Sequence, residues 1–180
     1  MRDRMLAQAK REYGPRQRMA LLAAAGVVFL VILPLALLCL GGRLDRLLDW
    51  PVFLHPPANA IVGGLTILAG WLLAIWTIYV QFTLGRGTPV PVMATQKLLI
   101  CPPYSFCRNP MALGAIVLYL GVSVVAGSPG AALLVLLGAA ALLTYVKVVE
   151  EREMVARFGE EYLAYRRGVP FIVPRLRRNS

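Results

Sequence analysis

The chain has 180 residues, 58% of them hydrophobic, with a mean hydropathy of +0.66 and a formal net charge of +10. A soluble domain is about 45–50% apolar, and the excess here is gathered in runs long enough to cross a bilayer, which takes about 20 residues. The basic residues flank those runs, so membrane orientation accounts for the charge better than nucleic-acid binding does.

Residues 1–18 are polar and basic, and read as a short interfacial helix or an unstructured segment. Residues 19–40 form the first predicted span, kinked at Pro34. The run is too long for a secretory leader, and no small-residue cleavage site follows it. Residues 43–57 read as a short interfacial segment with Trp50 at headgroup depth, and residues 59–82 as the second span. Gly63, Gly64 and Gly70 in that span would let another helix approach closely. A polar loop, 84–108, leads to a third span, 110–126; a turn at 127–130 and a fourth span, 131–149, follow. That last helix is expected to continue through Arg157 to a cap at Gly159, with a further helical turn over 162–167. Trp71, Trp76, Tyr79 and Phe82 read as packing or lipid-facing residues.

The orientation follows from the charges. Of the 19 Lys and Arg residues, six fall in 1–18, three in 84–108 and eight from Lys147 onward, against two in 41–57. Four spans place the three rich segments on one face, which predicts cytosolic termini; five spans would split them. The three cysteines (Cys39, Cys101, Cys107) show no CxxC or Cys/His spacing, and His55 is the only histidine. Neither a metal site nor a disulfide framework is expected.

Two features carry chemistry. Asn109-Pro110 is a strong helix start, because Asn suits the cap and Pro the first helical position. The free N–H groups and dipole there favour an anion, and Arg108 adds a fixed positive charge. About 20 residues after Ala131, the last apolar helix returns to the same depth at Glu150-Glu151. Two adjacent carboxylates at that end oppose the helix dipole, so a cationic partner is the physical reason for them. A zwitterionic ligand satisfies both ends of this hairpin.

At these residues the chain resembles the isoprenylcysteine carboxyl methyltransferases and the related membrane phospholipid methyltransferases. The matching text is Leu99-Ile100-Cys-Pro-Pro103-Tyr104, Arg108-Asn109-Pro110, Gly114, Glu150-Glu151, Phe158-Gly159, Tyr162, Tyr165 and Val169-Pro170, covering about residues 84–174. Pro102, Asn109 and Ala112 stand where those families carry Gly, His and Tyr. Asn still caps and donates a hydrogen bond, but it cannot become cationic.

The resemblance implies an all-α integral membrane protein with about four transmembrane helices. The first two spans lie in 1–83 and the methyltransferase-like region in 84–180, where the last hairpin and the C-terminal segment form a cytosolic site. It implies S-adenosylmethionine as methyl donor and membrane lipids around a lipid or other hydrophobic acceptor. Cofactor-binding residues would be Leu99, Ile100, Pro103, Tyr104, Asn109, Gly114, Glu150, Glu151 and Tyr162. Arg108, Glu151 and Tyr165 would be catalytic, and Arg166 and Arg167 would help orient an acidic headgroup. An NADPH-dependent reductase of the sterol type, against which the Glu pair argues, and a non-catalytic membrane relative are the alternatives.

Overall fold

In the computed structural model, residues 14–85 and 97–174 are described. The N-terminal segment up to residue 13, residues 86–96 of the 84–108 loop and the last six residues lie outside them, so the reading of the basic N-terminal stretch falls largely outside as well.

The first apolar run is one rod: α1 (Pro15–Val27), a π-helical turn (Val28–Ile32) and α2 (Leu33–Leu47). Proline lacks the amide hydrogen, and its ring clashes with the carbonyl four residues earlier. For Pro34 that carbonyl belongs to Leu30, inside the wide turn, so the irregularity expected at Pro34 sits just before it. The Tyr119 hydroxyl donates to the Phe29 carbonyl in the same turn at 2.7 Å.

The rod runs on to Leu47 rather than ending at Leu40, which corrects the interfacial segment read over 43–57. The reason is Asp45. Its Oδ1 accepts from the Gly130 amide at 2.6 Å, and its Oδ2 accepts from the Ser128 hydroxyl. A carboxylate placed at a helix N-terminus is favourable, and these bonds hold the last turns of α2 helical. Gly41 lies against Ala131 in the same contact.

α3 (Ala58–Thr83) and α4 (Pro110–Ala126) follow, within a residue of the predicted limits. Gly127, with φ +62°, turns the chain, and Ser128 caps α5 (Pro129–Tyr145) by accepting from the Ala131 amide at 3.0 Å. A second π-helical turn (Val146–Glu150) leads into α6 (Glu151–Phe158). Gly159, with φ +54°, separates α6 from α7 (Glu160–Gly168).

Met19–Leu47, Ala58–Thr83 and Pro129–Phe158 are each long and apolar enough to cross a bilayer; α4 is apolar but shorter, at 17 residues. The chain is a multi-pass membrane protein.

α3 and α4 form the tightest pair, and glycine is the cause. A Cβ added at Gly63 would lie 2.8 Å from the Gly121 carbonyl oxygen, and one at Gly70 would lie 2.7 Å from that of Gly114. Both helices therefore carry their contact glycines seven residues apart, one pair near each end of the crossing. Small residues are what lets helices touch backbone to backbone in a membrane. Gly64, read with Gly63 and Gly70 as a contact position, has nothing within 4 Å.

The seam makes a direct prediction. Gly70→Ala and Gly121→Ala place a methyl group 2.5–2.6 Å from backbone nitrogen. Each should destabilise by about 1–3 kcal/mol, the usual size of overpacking. Thermal unfolding in detergent should show both midpoints lowered by several degrees, with Gly64→Ala unchanged or slightly more stable.

Candidate active site

The site is built where α4 begins. The loop before it packs inward: Leu99 and Tyr104 are buried against Val80 of α3, Pro103 is fully buried, and Cys107 is 1% exposed. Phe106 meets Trp76 edge-on, with centroids 6.2 Å apart. This anchoring fixes Arg108 and Asn109 at the mouth of α4.

Arg108 does most of the joining. Its Nη2 lies 2.7 Å from Glu151 Oε1, with both side chains about nine-tenths buried. Its Nη1 donates to the Arg166 carbonyl at 2.8 Å, its backbone amide donates to the Pro170 carbonyl at 2.9 Å, and its guanidinium stands 5.6 Å from the Phe171 ring centroid. Glu151 also has Arg166 Nη1 at 3.9 Å from Oε2, at the half-exposed edge of the cluster. The α7 helix and the segment 169–171 thus strap across the start of α4.

Asn109 occupies the cap position of α4 but does not cap it with its side chain. Its Nδ2 donates instead to the Phe171 carbonyl at 2.9 Å, which corrects the capping role expected of it. The amide is drawn to the strap because Phe171 presents a carbonyl there.

Three tyrosines line the floor. Tyr162 is 3% exposed and faces Glu151; burial first, and the neighbouring carboxylate second, push its phenol up to about 12. Burial also raises Tyr165 and Tyr104 well above the usual phenol value. The Tyr165 hydroxyl donates to the Tyr104 carbonyl at 2.7 Å, and its ring lies 6.1 Å from that of Tyr162. Glu150 is half-buried, and its charge acts on Tyr104.

Among the residues predicted from sequence, the structure brings together Arg108, Asn109, Glu151, Tyr162, Tyr165 and Tyr104. Ile100 is 57% exposed, and Leu99 packs against α3. Gly114 lies in the glycine seam beside Gly70 and Ala74, where helix packing accounts for it.

Two features escaped sequence reasoning. One is the strap of backbone carbonyls from Arg166, Pro170 and Phe171, which has no side-chain signature. The other is Gln81, whose Nε2 donates to the Tyr104 hydroxyl at 2.5 Å. An amide in the last turn of an apolar span was a signal available in the sequence.

The arrangement suits a zwitterion. Among the described residues, Arg108 Nε and Glu151 Oε1 are buried without an aligned hydrogen-bond partner, although the two side chains form an ion pair. A buried donor and a buried acceptor of opposite charge, both short of hydrogen bonds, match a ligand bearing a carboxylate and an ammonium.

A model of the phospholipid methyltransferases matches residues 58–161. The chain is similar to methanethiol S-methyltransferase 2 of Bradyrhizobium diazoefficiens, at 30% identity over 118 residues, covering 59% of this chain. It spans only 43% of that relative's length. No solved structure matches.

The ion pair carries its own prediction. Arg108→Ala leaves Glu151 buried without its main partner, a loss of about 3–5 kcal/mol for such pairs. Replacing both residues by apolar ones, Arg108→Met with Glu151→Leu, should recover most of that loss. Unfolding midpoints of Arg108→Met, Glu151→Leu and the double variant form the cycle; a double variant no more stable than Arg108→Met would refute it.

Proposed function

The chain belongs to the phospholipid methyltransferase family, and we propose that it transfers a methyl group from S-adenosylmethionine to a lipid or other hydrophobic acceptor at the cytosolic face of the membrane. The observation that carries this reading is the buried Arg108–Glu151 pair at the start of α4, each member holding an unmatched hydrogen-bonding atom. The distribution of Lys and Arg supports four crossings with both termini in the cytosol, which puts this pair on the cytosolic side.

Arg108 and the free amides at the start of α4 hold the ligand's carboxylate. Glu151, with Glu150 beside it, holds the ammonium. The loop 99–104 supplies an apolar wall. When bound, S-adenosylmethionine supplies a methyl group on a positively charged sulfur. The protein's work is then to orient the acceptor and exclude water.

Tyr165 and Tyr104 are phenols, already protonated near neutral pH, and burial raises them further, so they act as hydrogen-bond donors rather than bases. The Tyr165 proton is already committed to the Tyr104 carbonyl. Tyr165 is therefore a positioning residue for the loop. A nucleophile that needs little help losing a proton, a thiol or a carboxylate, suits this floor better than an ammonium does.

A small thiol is the second reading. It is favoured by the relative named for methanethiol, to which this chain is 30% identical over 118 residues.

Two measurements test the proposal. Purified protein incubated with methyl-labelled S-adenosylmethionine should label a component of a membrane lipid extract; label appearing only on added small thiols selects the second reading. Titration with S-adenosylhomocysteine should show Arg108→Ala and Glu151→Gln each weakening binding at least about tenfold, the size of one lost charge-assisted hydrogen bond. Changes below about twofold in both variants reject the site.

A further inference from the structure

Gln81 lies on the last turn of α3, outside the motifs that carry the family resemblance. Its Nε2 is held by Tyr104, while its Oε1 is buried and has no hydrogen-bond partner among the described residues. Exchanging the oxygen and nitrogen of the amide does not remove the vacancy, because either orientation leaves one end unpaired. A buried polar atom left in that state is costly, and native structures keep few of them.

The Tyr104 oxygen accepts from Gln81, so its own proton remains to be donated. Burial raises the phenol, so that proton is retained at working pH. The pair therefore offers one acceptor and one donor next to each other. Val80 and Leu99 pack with Tyr104 and make the surroundings apolar. Contacts run on from there to the ion pair: the Tyr104 carbonyl takes the Tyr165 hydroxyl, Tyr165 meets Tyr162, and Tyr162 faces Glu151. Gln81 and Arg108 mark the two ends of that path. One end has the charges for an amino-acid group. The other has the pattern that glutamine uses to read adenine, an acceptor for the exocyclic amine beside a donor for a ring nitrogen.

We propose that Gln81 and Tyr104 select the adenine ring of the methyl donor, Gln81 Oε1 accepting from its exocyclic amine and the Tyr104 hydroxyl donating to the adjacent ring nitrogen. This inference rests on the methyltransferase reading. It assigns a specificity role to a residue of α3, in the half of the chain that carries none of the resemblance motifs.

The test is calorimetric titration of the full-length protein in detergent with S-adenosylhomocysteine and with its 6-deamino analogue, which lacks only the exocyclic amine. The wild type should prefer the amine-bearing ligand by about tenfold or more, because a site built around a donor rejects a ligand that lacks it. Gln81→Leu should bring the two affinities within about twofold of each other. Gln81→Met, closer in shape, should do the same and serves if the leucine variant does not fold. Gln81→Glu keeps an acceptor and should keep the preference. Tyr104→Phe should weaken both ligands by a similar factor. A merely structural Gln81 would lower stability without moving the ratio, so an unchanged ratio in Gln81→Leu or Gln81→Met overturns the inference. Equal binding of both ligands by the wild type also overturns it, and leaves the methyltransferase reading standing. Binding of neither ligand by the wild type overturns both.

Discussion

The ion pair between Arg108 and Glu151 ties together the three parts that make the polar end of this molecule. It joins the mouth of α4 to the first turn of α6, and through the Arg166 carbonyl it reaches α7. Taking two charges out of water costs several kcal/mol per ion, and their attraction offsets this only when further hydrogen bonds complete the shell. Here the shell is incomplete at Arg108 Nε and Glu151 Oε1. Stability alone is thus a poor account of the pair. A ligand that completes the shell is a better one, and it explains why the strap of 169–171 is pinned by backbone carbonyls that leave Glu151 untouched.

For the pair to form, two apolar helices must bring their polar ends to the same depth, and two locks hold them there. The seam of Gly63, Gly70, Gly114 and Gly121 fixes the register of α3 against α4 through backbone contact that slips only by creating overlap. At the opposite end from the site, Asp45 takes hydrogen bonds from Ser128 and Gly130 and anchors the start of α5 to α2. Between that anchor and Glu151 lies the wide turn Val146–Glu150. One extra residue in a turn rotates everything after it by about 100° relative to a regular helix. Glu151 follows directly, and it faces Arg108 rather than the apolar surroundings of the preceding span. Wide turns of this kind recur at functional positions, and this one aims the carboxylate.

Much of this was readable in the chain. Apolar runs and their polar borders give the spans, and Pro110 and Gly127 mark the limits of α4 because each suits one end of a helix and not the other. The meeting of Arg108 with Glu151 followed from span length and charge. What could not be read has a physical reason in each case. The wide turn at 146–150 is written in valines, lysine and glutamate that serve equally well in a regular helix. The strap acts through main-chain carbonyls, which every residue has. Asp45 reads as interfacial in the sequence because its partners, a hydroxyl and an amide 83 and 85 residues away, are contacts that local pattern does not encode. Gly114 was drawn into the cofactor site by its place in a motif, although two glycines seven residues apart, facing two more at the same spacing, describe a helix seam. A motif position serves the fold as readily as it serves the ligand.

Asn109 is where sequence and structure inform each other most. The families that this chain resembles carry a histidine there, and a histidine can gain charge near neutral pH. The asparagine amide cannot, and its donor is spent on the Phe171 carbonyl. The strap is therefore attached by a bond that does not change with pH. The positive charge at the mouth of α4 then comes from Arg108, with Arg166 half-exposed at the edge. Under the proposed methyl transfer, with the buried tyrosines of the floor held protonated, the acceptor's own acidity would be the variable that decides how fast the site works.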